Sequence, residues 1–510
     1  MISPANCRSY IVVMVAVMAL VGAFSSVARG RAPRKQAERI RRVSGVDGGL
    51  VVHVGCQQGK LTAALRRGKE YIVHGLDREP GDVKAARDYL QSRGLCGPVS
   101  VAQWDGGSLP YVHNLVNLLV LGSDAEVPRK EIRRVLAPGG VALVRRAGRW
   151  TKHRKRWPDA IDEWTHYLHG SNNNAVASDK GVGPPHHVQW LGGPTWTRHH
   201  DWDKGTRPAI RTIVSAAGRL YYVVDEASPA SRKVPHRWFL VARDAFSGVV
   251  LWKKRLRSSR FRTELSRLWR TIAAVDDRLY IRPGKGKPLT ALDGATGEEI
   301  RSYKKTTRCR EFVVENGKLF VVRDRHHLLA LEAESGNVLW KWSSGSRDGI
   351  VRVTLAATGK RVFFRTEKAA YCLEAGTGKV LWRFSPEGMG ARHRLSWPRG
   401  KLVVRDGVVL CSYGSKAEPL SDYQWDENGV YGGHVLFKKG AGTLAALSSR
   451  TGEVLWKTAY RAGMEHFPGN IFVMDGRVQT GDFPADDLEL VLERRRLDVE
   501  VQTPALQRVG

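Results

Sequence analysis

At 510 residues, with 42% hydrophobic and 26% charged residues, the chain is long enough for two or three domains with sizeable cores, and its composition excludes a disordered polymer. Its formal net charge of +32 favours anionic partners such as a polyanion or a lipid surface. The basic residues run along the whole chain rather than in one arm or helix, which reads as a solvated surface and argues against nucleic acid.

The six cysteines, Cys7, Cys56, Cys96, Cys309, Cys372 and Cys411, contain no CxxC pair. A zinc ribbon and a thioredoxin-like motif are therefore excluded, and the cysteines offer no disulfide framework. Tyr10 to Phe24 is an unbroken apolar run of 15 residues, preceded by Arg8 and followed by Ser26-Val27-Ala28. The run falls short of the ~20 residues of a comfortable membrane span, and small residues at the first and third places suit signal peptidase. Residues 1–28 are expected to be a signal peptide exporting the protein to the periplasm or cell envelope, the alternative being a retained N-terminal membrane anchor. Seven basic residues between Arg29 and Arg42 count against easy export, because such charge stays on the cytoplasmic side. Residues 29–44 are expected to be a basic linker.

Residues 45–149 alternate strand and helix. Leu50–Val54, Tyr71–Leu76, Val99–Gln103 and Asn114–Leu121 read as strands, while Lys60–Arg67, Val83–Gly94 and Arg129–Leu136 read as helices ahead of Pro138-Gly139-Gly140. That alternation implies a parallel sheet covered on both faces, with any ligand outside the carboxyl ends of the strands. The order HVGCQQGKL, GLDRE, VAQWDGGSLPY and RVLAPGGVALV resembles class I S-adenosylmethionine-dependent methyltransferases over about a hundred residues. The resemblance implies a Rossmann-like domain in which Gly55 and Gly59 approach the methionine moiety. By the same resemblance Asp77 accepts from the ribose hydroxyls and Asp105 lies near the adenine. Two positions depart from the family pattern: His53 stands where it has an acid, and Gln57 replaces its middle glycine. A phosphate-binding P-loop is excluded, since Val54 occupies the first glycine position and Leu61 follows Lys60.

The connector 150–207 contains DEWTHYLHGSNNNAVASD and VGPPHHVQWLGGPTWTRHHD. His166 with His169, His186-His187 and His199-His200-Asp201 offer donors for a metal or catalytic cluster, but no pair has a recognised ligand spacing. A packed surface loop is the expectation, and no metal site is assigned. The segment resembles the connector of exported bacterial proteins in which a methyltransferase-like domain precedes a quinoprotein-type propeller.

From 208 to 483 the chain repeats. ARDAFSGVVLW, ALDGATGEEIR, ALEAESGNVLW, CLEAGTGKVLW and ALSSRTGEVLW end at Trp252, Arg301, Trp340, Trp382 and Trp456. Their glycines, Gly248, Gly297, Gly336, Gly378 and Gly452, are spaced 49, 39, 42 and 74 residues apart. Short strand pairs such as NGKLFVVRD precede each motif, giving the ~40-residue period of a propeller blade. Glycine permits the turn, and the acid four residues before it (Asp244, Asp293, Glu332, Glu374) is expected to accept its backbone N–H groups. The tryptophans are expected to pack between blades. The pattern A-x-D-x-x-x-G-x-x-x-W resembles the docking motif of quinoprotein alcohol dehydrogenases and of the propeller subunit of the outer-membrane protein assembly machinery. In the dehydrogenases that family places a vicinal disulfide over pyrroloquinoline quinone (PQQ) and calcium beneath it; this chain has no adjacent cysteines.

Five blades and the opening strands of a sixth are counted, with an insertion near 416–439 and a charged tail over 484–510 that matches no repeat. A propeller of five to eight blades is expected, incomplete here: either the C-terminus is truncated relative to related proteins, which is the expectation, or the tail and connector complete a blade. The reading is a multidomain protein: an α/β Rossmann-like methyltransferase domain, degenerate in its cofactor loop, followed by an all-β, quinoprotein-like propeller. The propeller is expected to bind a protein or an anionic polymer, with a membrane surface as a further partner. An active methyltransferase using S-adenosyl-L-methionine and a dehydrogenase using PQQ with calcium are the alternatives.

Overall fold

The computed structural model describes residues 32–123, 125–181, 188–193, 210–228, 230, 234–256, 270–284, 286–389, 401–413, 440–462, 471–480 and 490–491. The apolar run, His186-His187, His199-His200-Asp201, the insertion at 416–439 and nearly all of the tail lie outside the described residues. The chain divides into two compact units, 1–158 with 184–192 and 243–252, and 159–183 with 193–242 and 253–510.

In the first unit, six strands are β1 (Gly49–Val54), β2 (Tyr71–Asp77), β3 (Val99–Gln103), β4 (Val116–Leu121), β5 (Leu136–Arg146) and β6 (Arg149–Arg154). They form one sheet in the order β3-β2-β1-β4-β5-β6, parallel except for the edge strand β6. β1 and β4 are almost wholly apolar because helices cover both faces. The helices are α1 (32–44), α2 (Lys60–Leu65), α3 (Pro80–Ser92) and α4 (Arg129–Val135). One core gathers Ala37, Ile40, Leu65 and Leu90 from α1–α3 against Val51, Val73 and Leu118. The opposite core sets Ile132 and Val135 of α4 against Val52, Leu119 and Ala142.

Residues 29–44 differ from expectation. Positions 32–44 are helix rather than linker, because Ala37, Ile40 and Ser44 fall on one face and bury there. The strand β5 also begins earlier than the Pro138-Gly139-Gly140 break suggested, and absorbs it as a register shift against β4 between Val116 and Leu118.

Among the described residues six more sheets follow the first unit's sheet, with strands in sequence order from one edge to the other. The first sheet holds β7 (Ile210–Ala216), β8 (Arg219–Asp225), β9 (Trp238–Asp244) and β10 (Val250–Arg255). The second holds β11 (Ile272–Val275), β12 (Arg278–Ile281), β13 (Leu289–Asp293) and β14 (Glu299–Tyr303). The third holds β15 (Cys309–Glu315), β16 (Lys318–Arg323), β17 (His327–Glu332) and β18 (Val338–Ser343). The fourth holds β19 (Ala356–Thr358), β20 (Arg361–Arg365), β21 (Ala370–Glu374) and β22 (Val380–Phe384). The fifth holds β23 (Leu402–Arg405), β24 (Val408–Tyr413), β25 (Gly440–Ser448) and β26 (Val454–Ala462). The sixth has β27 (Ile471–Met474), β28 (Arg477–Thr480) and β29 (Leu490–Val491). Thus part of the tail, expected to match no repeat, adds a strand here. The first strands β7, β11, β15, β19, β23 and β27 lie beside one another in chain order, which is the radial arrangement of a β-propeller.

The repeated residues hold successive blades together. Trp340 and Trp382 are buried, and their indole N–H groups donate to Ala375 O and Ser449 O of the next sheet at 3.0 Å. A Cβ on Gly378 would fall 2.6 Å from Trp340 and one on Gly452 2.7 Å from Trp382, so the ring lies flat on a residue that must be glycine. Where Arg301 replaces tryptophan, Tyr303 takes over: its hydroxyl donates to Ala333 O at 2.6 Å, three residues before Gly336 as Ala375 is before Gly378. In the first unit, Trp190 from the connector fills this role for Gly248, donating to Ala245 O at 3.1 Å.

The acids divide by length. Asp244 and Asp293 accept the N–H groups of residues two and three places on. The longer Glu332 and Glu374 instead accept the hydroxyls of Ser335 and Thr377. In the first unit, Asp244 also accepts from Asn117 Nδ2 at 2.8 Å.

Trp382→Ala is expected to destabilise the propeller by about 3–5 kcal/mol through cavity formation. Tyr303→Phe is expected to cost only about 1 kcal/mol, one hydrogen bond. Urea unfolding midpoints followed by tryptophan fluorescence measure both.

Candidate functional site

In the α/β unit, the candidate residues Gly55, Gly59, Asp77 and Asp105 come together at the carboxyl end of the sheet. β1 and β2 are adjacent parallel strands, and Asp105 follows β3, whose Gln103 pairs with Asp77. This end also holds the switch point, where the strand order reverses between β1 and β4. Gly55 and Gly59 have φ of 75° and 73°, with Gly59 at the N-cap of α2. A Cβ on Gly59 would lie 2.9 Å from Ala86 Cβ, so helix packing alone requires glycine there.

Asp77 is 8% exposed. Its Oδ2 accepts the Gln57 N–H at 2.7 Å and its Oδ1 the Glu79 N–H at 3.3 Å. Gln57 carries its side chain at φ 45°, in the left-handed region, with its backbone N–H turned onto the carboxylate. The Arg78 guanidinium lies over the Trp104 ring, 5.3 Å from its centroid, and 2.5 Å from where a Cβ on Gly106 would be. Asp105 Oδ1 accepts the Gly107 N–H at 2.8 Å, closing its own turn. His53 is buried and shares a 2.9 Å hydrogen bond with Thr62 Oγ1. Burial pulls its pKa down to about 4, so it is a neutral core residue and not a charged ligand contact. Burial likewise pushes the Cys56 thiol up to about 12, leaving it unreactive.

The connector is the second site, and over residues 164–174 it is largely buried rather than a surface loop. Residues 159–183 belong to the second unit, where His166, Leu168, Ser171, Asn173 and Asn174 are buried. Between Trp164 and Asn174 the segment bonds the first strand of every sheet in turn. Ser215 N–H of β7 donates to Trp164 O at 2.8 Å, and Ala274 N–H of β11 to Thr165 O at 2.9 Å. Val314 N–H of β15 donates to His166 Nε2 at 3.0 Å. Ala357 of β19 and Val404 of β23 donate to Ser171 O and Asn172 O, both at 2.9 Å. Val473 of β27 exchanges two bonds with the Asn174 amide, at 2.7 and 2.9 Å. All six partners are the next-to-last residue of their strand, so one register is read six times.

These are edge strands whose inward N–H groups would otherwise lack partners. The histidines serve this arrangement. His166 pairs with His169 in a bridge and must keep Nε2 unprotonated to accept from Val314, so Nδ1 carries the proton toward Thr165 Oγ1 at 2.8 Å. Burial, with Arg270 and His169 nearby, lowers the His166 pKa to about 3. His169 Nε2 bonds Asp162 Oδ2 at 2.7 Å. Among the described residues no three His, Cys, Asp or Glu side chains are grouped to hold a metal.

Residues 51–140 match the family model described as a methyltransferase domain, and residues 237–428 and 342–466 match that of outer membrane protein assembly factor BamB. The chain thus contains a methyltransferase-like domain followed by a BamB-like, PQQ-type propeller. No protein of curated function matches it. Among solved structures, BamB from Moraxella catarrhalis is 14% identical over 52% of this chain and 65% of its own, with a TM-score of 0.33. A putative S-adenosyl-L-methionine-dependent methyltransferase from Methanococcus maripaludis is 24% identical over 22% of this chain and 53% of its own, at 0.21. A SAM-dependent methyltransferase from Aquifex aeolicus is 20% identical over 22% and 62%, at 0.20. The chain spans less than two thirds of the length of each.

A neutral, buried His166 has a folded pKa below its unfolded value near 6.5. The unfolded chain then binds the extra proton, so stability is full above about pH 6.5 and is lost as pH falls toward 3. Stability of the native protein is expected to fall more steeply between these values than that of His166→Gln. The difference approaches about 1.4 kcal/mol per pH unit, read from urea midpoints at stepped pH. Equal slopes would refute the neutral, accepting imidazole.

Proposed function

We propose that this is an exported binding scaffold. In this reading a methyltransferase-like domain keeps the fold but not productive cofactor binding, and the propeller engages a protein or an anionic polymer. Arg78 carries it. Its guanidinium covers Trp104 and Gly106 beside Asp105, where the family resemblance puts the adenine. Two further features support the reading: Asp77 already accepts the N–H groups of Gln57 in the glycine loop and of Glu79, and Gln57 stands in place of the family's middle glycine. The residues present therefore do not fit S-adenosylmethionine well, and no chemical step is assigned to it. Export by residues 1–28 would also remove the protein from the cytoplasm, where that cofactor is made. For the propeller, similarity to an assembly factor supports a role in holding other proteins.

An active methyltransferase is the second reading, favoured by the convergence of Gly55, Gly59, Asp77 and Asp105 at one end of the sheet. A PQQ dehydrogenase gains no comparable support: the connector is bonded along the strands nearest the propeller axis, and the sequence has no adjacent cysteines. Calorimetric titration with S-adenosylmethionine is expected to show no binding up to about 1 mM, weaker than about −4 kcal/mol. Micromolar binding that Asp77→Ala abolishes would overturn the scaffold reading.

A further inference from the structure

Charge is sorted by face on α1. Its buried positions, Ala37, Ile40 and Ser44, face the sheet, while Arg34, Lys35, Glu38, Arg39 and Arg42 are all exposed. At 100° per residue these five exposed positions fall within one arc of about 140°, opposite the core. Four of the five are cations, and none of the four has an ion-pair partner among the described residues.

The edge hairpin extends this face. Lys152 of β6 donates its amine to Val43 O, next to the end of α1, at 2.8 Å, and Arg145 of β5 lies over the Trp150 ring beside it. Both Lys152 and Arg145 are exposed. The result is six cations and one acid on a rigid surface, anchored through Ala37 and Ile40 to the sheet core.

For as long as the apolar run stays attached, what lies next along the chain points to the partner. Seven residues, including Arg29 and Arg31, separate the helix from Phe24 at the end of the apolar run. Fully extended they span about 24 Å at most. Whenever the run enters or crosses a bilayer, the cationic face is held within reach of the headgroups, where polybasic segments bind anionic lipid. We propose that the outward face of α1, with Arg145 and Lys152, docks on a surface of anionic phospholipid. The sheet behind the helix holds the cations on one side of it, so their attractions act together. This goes beyond the scaffold reading and does not depend on it: a cofactor-binding protein could dock equally well.

The test uses the purified full chain and sedimentation with vesicles of phosphatidylcholine, alone or with about 30% phosphatidylglycerol. At low salt the protein is expected to partition at least about 50-fold better onto the anionic vesicles, since each cation contributes about fivefold, and to lose that preference near 0.5 M salt. The variant R34E/K35E/R39E/R42E is expected to abolish the preference. A charge-matched propeller variant, K341E/K360E/K379E/K457E, is expected to keep it, and the folded state of both is checked by their unfolding transitions. Equal binding to neutral vesicles, or equal loss in both variants, would overturn the proposal in favour of the apolar run or of general charge. Displacement from vesicles by an equal charge of duplex DNA would overturn it in favour of a general polyanion site.

Discussion

A β-propeller blade has two edges, and the inner one is the harder to satisfy. Its strand faces the axis, and here Ala274, Val314, Ala357, Val404 and Val473 on these strands are buried, so each unpaired amide costs about 1–3 kcal/mol. In this protein a single stretch from Trp164 to Asn174 supplies the acceptors, one sheet after another. The choice of residues follows. Backbone carbonyls serve where the segment runs close enough, as at Trp164, Thr165, Ser171 and Asn172. Side chains serve at the third and sixth sheets, through the His166 imidazole and the Asn174 amide, which has both an acceptor and a donor to offer. A run of Ser and three Asn is well suited to such a path because these side chains bond backbone readily.

The contacts between blades show the same economy of geometry. Trp340 and Trp382 are each a flat plate with one donor, laid over a glycine and bonded to the carbonyl three residues before it. Losing the plate in the second sheet does not lose the bond, since Tyr303, two residues on, reaches the matching carbonyl behind Arg301. The motif is thus defined by an acceptor and a gap, and more than one side chain fills them.

The propeller was legible because glycine and tryptophan recur at fixed separation, and the α/β sheet because apolar strand runs alternate with helical ones. The gathering of Gly55, Gly59, Asp77 and Asp105 was legible too, since parallel strands bring their carboxyl ends together. Other features carry no periodic signal. DEWTHYLHGSNNNA is polar, aperiodic and apparently loop-like, because its bonds go to residues up to 299 positions away. Trp190 sits outside any repeat. The contact of Arg78 with Trp104 joins neighbouring strand ends through side chains whose directions sequence does not give. The helix at 32–44 could have been found by sorting its residues by face rather than counting their charges: Ala37, Ile40 and Ser44 recur at helical spacing.

The connecting segment precedes the sheets it serves, and the order of its acceptors is the order in which the sheets appear along the chain. A polypeptide emerging from its N-terminus would therefore have the template in hand before the first blade is made. Each new blade would find its own unfilled acceptor next to the one just taken. Assembly would then proceed stepwise with synthesis or translocation, and a circular permutant that placed Trp164–Asn174 after the last blade would have to thread an already crowded axis.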